Sequence, residues 1–281
     1  GVDLYSHTSD IVFGSSDVDV RDRNGANIMP SQTVSTLGEA IFYNDALNDV
    51  EQQLMDQYAS AKYGIALKGI GTGNNEVERA TAADGYSVFA ADYLERLSDT
   101  ADIVLQASDT ITLDLRGDTL TLSDDRNLTL QTANGDISDV SAGRITTNRI
   151  SDGGNINFIA GGAGNIEIDQ TQLDTRGGGV VNMSAQGDVN LVSAETLNLG
   201  QVSAQNIYVE TQGASDVVLH NTLSAQAAGN SLVLNTGRNF INNHGAEALD
   251  AGAGRWLVYS ADPADNTLGG ASADFKRYNK T

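Results

Sequence analysis

The sequence predicts an all-β fold, a parallel β-helix with three short strands per turn and about 25 residues per turn, interrupted by a helical insertion. Three observations carry this. Three-residue apolar-polar-apolar beats, among them Ile156-Asn157-Phe158, Ile166-Glu167-Ile168 and Val189-Asn190-Leu191, alternate with period two, so that one face is buried and the other wet. First beats begin at Ile103, Leu128, Ile156, Val181, Ile207, Leu232 and Leu257, at spacings of 25, 28, 25, 26, 25 and 25. Each beat is too short to form a sheet alone and is set off by Gly, Asn, Asp and Ser, so the units must stack on copies of themselves.

Second beats start at Ile111, Ile137, Ile166, Val189, Val217 and Phe240, and third beats at Leu120, Ile145, Leu173, Leu197, Leu223 and Leu249. Pairing each strand with its copy one turn on, at roughly 4.8 Å, makes seven turns a rod about 30 Å long. Its interior takes the first and third residues of each beat, as in Ile103/Leu105, Leu128/Leu130, Ile156/Phe158, Val181/Met183, Ile207/Val209 and Leu232/Leu234. A leucine-rich horseshoe needs one strand and a helical piece per repeat, and propeller blades need longer antiparallel strands. Neither pattern is present.

Taken in order, residues 1–20 read as a first turn, with beats Val2-Asp3-Leu4, Ile11-Val12-Phe13 and Val18-Asp19-Val20. Residues 21–100 read as a helical insertion. Thr36 and Glu39 have capping-box spacing, and Leu37, Ile41, Leu47, Val50, Leu54 and Tyr58 follow mostly three and four apart, which predicts a helix near 37–62. A shorter helix is expected over Tyr86–Leu97. A side-lying decoration packed along the rod is the expected placement of this insertion, because the chain leaves after one turn. Residues 101–260 form the β-helix body, and 261–281 a tail leading toward further modules.

With 16 Lys and Arg against 37 Asp and Glu, the formal charge is -21, which repels phosphate backbones and anionic lipid, so no nucleic-acid partner is expected. No run of 18 apolar residues occurs, so no membrane insertion is expected either. The absence of Cys excludes disulfides, thiol catalysis and Cys-ligated zinc. Gly1 is followed by no basic and apolar leader, and the sequence reads as a fragment of a longer exported protein.

The run Asp102–Ser203, with DIVLQASDTITLD, NLTLQTANGDI, SDGGNINFIAGGAGNIEIDQTQLDTRGG and GDVNL, resembles the repeats of filamentous-haemagglutinin-like exoproteins. These are large bacterial adhesins exported by two-partner secretion. GRWLVYSADPADNTLGG (Gly254–Gly270) with ADFKRYNKT (Ala273–Thr281) is similar to the segment that closes the β-helix in many of them, and is the more specific match. The resemblance covers residues 101–281. It implies a right-handed β-helix, secretion to the bacterial outer surface, and an adhesive or scaffolding role toward a host or community cell-surface ligand, glycans included. The family's secretion domain, which an outer-membrane transporter recognises, has no counterpart in these residues, and residues 21–80 match nothing in the family.

Few motifs point to chemistry. Gly161-Gly162-Ala163-Gly164-Asn165-Ile166 approaches a calcium nonapeptide, but Ile166 stands where the ligand Asp belongs, and it reads as a corner. Asp17, Asp19, Asp22 and Asn24 beside Gly25 supply hard oxygens next to a turn and form the calcium candidate, without the EF-hand spacing or its closing Glu. Asp124-Asp125, with Asp99 and Asp102, would be the carboxylates of a polysaccharide-active β-helix enzyme, the alternative function, as is a self-associating matrix or filament subunit. Arg116, Arg126, Arg144, Arg149 and Arg176 are scattered, and His7, His220 and His244 are isolated, so no catalytic residue is assigned. Thr112, Thr121, Thr129 and Thr146 are interrupted too soon for a flat threonine array.

The expected interaction surface comes from the outward middle residues of the first beats, Val104, Thr129, Asn157, Asn182, Tyr208, Val233 and Val258. Its apolar end, Tyr208, Val233 and Val258, should be covered by the tail through Leu268, Phe275 and Tyr278, or else bind a partner.

Overall fold

The computed structural model describes residues 89, 91–147 and 153–273. The expected first turn, the 37–62 helix, and Phe275 and Tyr278 lie outside them, as do Asp17, Asp19, Asp22 and Asn24. Among the described residues one α-helix, α1 (Ala91–Ser98), precedes a solenoid of about six turns built from parallel strands. Turn one holds β1 (Ile103–Ala107), β2 (Ile111–Leu113) and β3 (Thr119–Leu122); turn two β4 (Leu128–Thr132), β5 (Ile137–Asp139) and β6 (Gly143–Thr147). Turn three holds β7 (Ile156–Ala160), β8 (Ile166–Ile168) and β9 (Thr171–Asp174), followed by β10 (Val181–Ala185), β11 (Val189–Ser193) and the long β12 (Leu197–Ala204). Above these come β13 (Ile207–Thr211), β14 (Val217–Leu219), β15 (Leu223–Ala225), β16 (Gly229–Asn235), β17 (Phe240–Asn242), β18 (Leu249–Asp250) and β19 (Gly254–Tyr259).

The lower turns have three faces. Face A stacks β1-β4-β7-β10, face B stacks β2-β5-β8-β11-β13-β16-β19, and face C stacks β3-β6-β9. Inward residues fill the axis as the period-two pattern requires: Leu128, Leu130, Ile156, Phe158, Val181, Met183, Ile207, Val209, Leu232 and Leu234 are all buried. Each such side chain contributes about 1.5–3 kcal/mol by leaving water.

The constant period breaks at β12. This strand runs straight through a corner: its second half continues face A, with Met183 beside Val202 and Val202 beside Leu223, while its first half, Leu197–Leu199, pairs upward with β14. Between Val181 and Met183 it carries an extra residue, a bulge at Gly200-Gln201. Gly200 is required there, since a Cβ would lie 2.1 Å from Asn182 Oδ1 and 2.7 Å from Val180 Cγ2. The turn is correspondingly short, with Asn206 stacked on Asp188 only 18 residues before it. Val202-Ser203-Ala204 is thus a beat that the sequence count merges into its neighbour, and later beats shift by one face. Val181 lies on face A, but Ile207 and Leu232, counted in the same column, lie on face B above Val189.

A second bulge, in β16, reverses the parity of β19. Gly229 is paired with Gly254, but Leu232 with Trp256, so Val233 meets Leu257 and Leu234 meets Val258. A one-residue shift turns every side chain over. Val258 therefore faces the core and Leu257 points outward, which corrects the expected place of Val258.

Corners are held by side-chain ladders. Between faces C and A, Asp102 Oδ1 accepts from Asn127 N (3.0 Å), Asn127 Oδ1 from Asn155 N (2.8 Å), and Asn155 Oδ1 from Val180 N (2.9 Å). Between faces A and B, Asp136, Asn165 and Asp188 do the same for Asn165, Asp188 and Asn206 (2.7, 2.8 and 3.0 Å). Gly161–Gly164 is the corner beside this second ladder, where a Cβ on Gly164 would sit 2.2 Å from Gly135 O.

Helix α1 is the described end of the expected insertion, whose side-lying placement as a whole lies outside the described residues. Tyr93 and Leu94 join the core, and the helix covers the unpaired lower edge of β3: Glu95 Oε1 accepts from Thr121 N (2.6 Å) and Ser98 Oγ from Ser123 N (2.9 Å). It is an end cap for that edge. No helix among the described residues is long and apolar enough to cross a membrane.

Two outcomes test this scheme. Asn155→Leu leaves the Val180 N–H without its acceptor and should lower unfolding stability by about 1–3 kcal/mol in a denaturant titration. Removing the two capping acceptors, Glu95→Ala with Ser98→Ala, should expose adjacent edge donors and give concentration-dependent association in sedimentation; a strictly monomeric double variant would contradict the cap.

Candidate functional site

Two outward surfaces stand out. The first is a groove on face A with a volume of about 470 Å³, lined by Thr129, Asn157, Ile159, Asn182, Ser184, Gln201, Ser203 and Asn221, with Phe158 and Met183 beneath. Strand alternation brings these residues out: Thr129, Asn157 and Asn182 form one column, and Gln131, Ile159, Ser184, Ser203 and Ser224 form the next. The small Ser column and the side-chain-free Gly200 leave the face concave.

The first column is linked by hydrogen bonds. Asn182 Nδ2 donates to Asn157 Oδ1 (2.9 Å), Asn157 Nδ2 to Thr129 Oγ1 (3.2 Å), and Gln201 N to Asn182 Oδ1 (2.9 Å). Ser203 Oγ lies 3.3 Å from Ser184 Oγ. Among the described residues no ionisable side chain lines the groove.

The second surface lies on face B, where registry stacks Asn190, Tyr208, Val233 and Leu257 in one column and Val192, Glu210, Asn235 and Tyr259 in the next. The Tyr208 hydroxyl donates to Glu210, which also accepts from Asn235 Nδ2 (3.1 Å). The bond to the hydroxyl holds the Glu210 carboxyl below its ordinary range, helped by Asn235, while the same bond raises the phenol of Tyr208. Tyr208 is 36 % exposed and Tyr259 54 %. The apolar ladder expected here is reduced to Tyr208 and Val233, continued by Leu257 in place of Val258. The described part of the tail runs elsewhere: Thr267 bridges to Ile241 above face C, and Leu268 packs half-buried against the core.

Three of the four carboxylates considered for catalysis serve the corners. Asp99 accepts from Ser123 Oγ (2.6 Å), Asp102 holds Asn127, and Asp125 accepts from Gly153 N (3.2 Å). Two of the arginines that looked scattered converge on face C: Arg144 and Arg176 both reach Asp174 (3.4 and 2.9 Å), and Arg144 also pairs with Glu195. Asp174 and Glu195 are therefore both engaged by guanidinium groups, and the bond to Glu195 raises Arg144 above its usual value. Sequence spacing concealed this cluster because its members come from different turns, 30 and 51 residues apart. His220 Nε2 lies 3.3 Å from Asn198 Oδ1 and His244 Nε2 3.1 Å from Thr222 Oγ1, so each histidine meets a polar neighbour one turn away. Thr112, Thr121 and Thr129 sit on faces B, C and A respectively. Among the described residues no group of three or more His, Asp or Glu side chains is arranged to hold a metal ion.

Asp216 gives the surface chemistry a pH handle. Its side chain is 7 % exposed and accepts from Arg238 Nε (2.7 Å) and Asn239 N (3.0 Å). The Arg238 bond holds its carboxyl below the usual range against the opposing push of burial. A folded value below the unfolded one, about 3.9, means that this contribution is complete above that pH and is lost as pH falls through the folded value. Asp216→Asn should cost about 1–3 kcal/mol at neutral pH and flatten the decline of the melting midpoint below about pH 4. An acid limb unchanged from the parent chain would remove Asp216 from this role.

The chain matches no family model, and neither the curated proteins nor the solved structures contain one significantly similar to it.

Proposed function

We propose that this chain is a structural and adhesive segment of a secreted bacterial cell-surface adhesin, presenting binding surfaces without catalysis. The observation that carries the reading is the pairing of a stacked solenoid with a groove on face A whose described lining offers amides and hydroxyls but no acid or base to activate them. Such a lining holds a partner and leaves its bonds intact, because proton transfer needs a titratable group within hydrogen-bond reach. Polar contacts spread over several turns suit attachment, in which many modest interactions act together. The resemblance of residues 101–281 to filamentous-haemagglutinin-like repeats supports the same reading, with a host or community cell surface as the partner and the outside of the bacterial cell as the place of work.

A polysaccharide-active enzyme on this scaffold would need free, convergent carboxylates. Asp174 and Glu195, which approach each other around Arg144 on face C, are both engaged by that guanidinium. A head-to-tail matrix subunit would need open strand edges, and α1 covers the lower edge of β3.

Beads coated with the 281-residue chain should attach saturably to epithelial or bacterial cells, and soluble chain should compete. Attachment no better than that of albumin-coated beads would defeat the adhesive reading. Release of reducing ends from a polysaccharide panel would replace it with the enzymatic one.

A further inference from the structure

We infer that the groove on face A is a binding site for an extended, uncharged oligosaccharide lying parallel to the solenoid axis; this rests on the adhesive reading and names the ligand class of that site. Several polar atoms of the lining have no partner within the protein. Asn157 spends both amide hydrogens, on Thr129 Oγ1 and Leu128 O, and Asn182 spends one on Asn157. The second Asn182 hydrogen remains. Asn221 uses its Oδ1 on Thr222 N (2.8 Å) and keeps its NH₂ group. The Gln201 side chain, exposed at the groove, keeps its whole amide, and Ser184 keeps its hydroxyl hydrogen. Donors and acceptors are thus interleaved and uncharged. A ligand that meets them must itself offer both kinds of group, as sugar hydroxyls do.

Charge narrows the ligand class further. A carboxylated, sulfated or phosphorylated chain would enter a site with no cation, on a molecule of formal charge -21. A cationic ligand would find no carboxylate in the described lining, and its one aromatic ring, Phe158, is buried beneath the groove. Uncharged polyols pay neither penalty.

The repeat length matches a chain of sugars. The first column places Thr129, Asn157, Asn182 and the Gln201 bulge on successive turns. Three steps of about 4.8 Å span roughly 14 Å. One turn is close to the advance of one residue in an extended pyranose chain, so successive rungs meet successive sugars. Ile159, 36 % exposed in the neighbouring column, offers an apolar surface to the C–H face of a ring. The volume of about 470 Å³ lies within the usual range of ligand sites, about 300–1,000 Å³.

The test uses the whole chain with cellohexaose, chitohexaose and mannohexaose as neutral probes and hexagalacturonate as the charged one, read by calorimetry and amide chemical shifts. At least one neutral hexamer should bind saturably, at least tenfold tighter than hexagalacturonate. Gln201→Ala removes an amide with no structural partner and should weaken binding about threefold to tenfold with an unchanged melting midpoint. Ser184→Tyr should fill the groove and abolish binding, and circular dichroism checks that it folds. No binding of any neutral hexamer at millimolar concentration overturns the assignment, as does equal binding of hexagalacturonate or affinity unchanged in both variants. If coated beads still attach to cells while no neutral hexamer binds or competes, the groove assignment fails and adhesion stands. If a hexamer binds and is cleaved, the groove stands and the non-catalytic reading fails.

Discussion

A backbone that turns a corner leaves the hydrogen-bond ladder that its strands enjoy, and its N–H groups must find another acceptor or stay buried without one. In this solenoid the acceptor is a side-chain oxygen one turn below: Asp102, Asn127 and Asn155 at one corner, Asp136, Asn165 and Asp188 at another. These residues do more than satisfy donors. Each fixes the height at which the next strand begins, so the inward Ile, Leu and Val side chains meet those of the adjacent turn. The hydrophobic axis and the outward columns both depend on that registry. Short strands of three to five residues would otherwise be free to slip.

This dependence explains which parts of the fold were legible in the sequence. Alternation in Ile156–Phe158 or Val181–Met183 is local, so strands, inward residues and the approximate repeat could be read directly. Two displacements could not. Val202-Ser203-Ala204 escapes notice because only Gly200-Gln201 separates it from Leu197–Leu199, and the need for a bulge there appears only when Asn182 is placed beneath it. The extra residue in β16 is equally silent, since Asn230-Ser231-Leu232 has no signature beyond its neighbours in space. Both are relations between turns.

The site was legible to a similar extent. Tyr208 was recognised as outward and unusual, and it is, but its neighbour Glu210 became part of the feature only through a hydroxyl–carboxylate bond along the same strand. Asn157 and Asn182 were recognised as the polar middle of a column. Their spacing of 25 residues was the one signal that their amides would join, as they do. Gln201, Ser203 and Asn221 belong to the groove only because the short turn brings them there.

Strand β12 also has a mechanical consequence. Elsewhere in the solenoid a strand has at most one partner below and one above, so tension along the axis could peel the turns apart singly. Leu197–Ala204 has β10 on one side and both β14 and β15 on the other. Detaching it breaks three ladders within one event. The straightened corner therefore acts as a rivet between the lower and upper turns, and a pulled molecule should hold there after its outer turns have yielded.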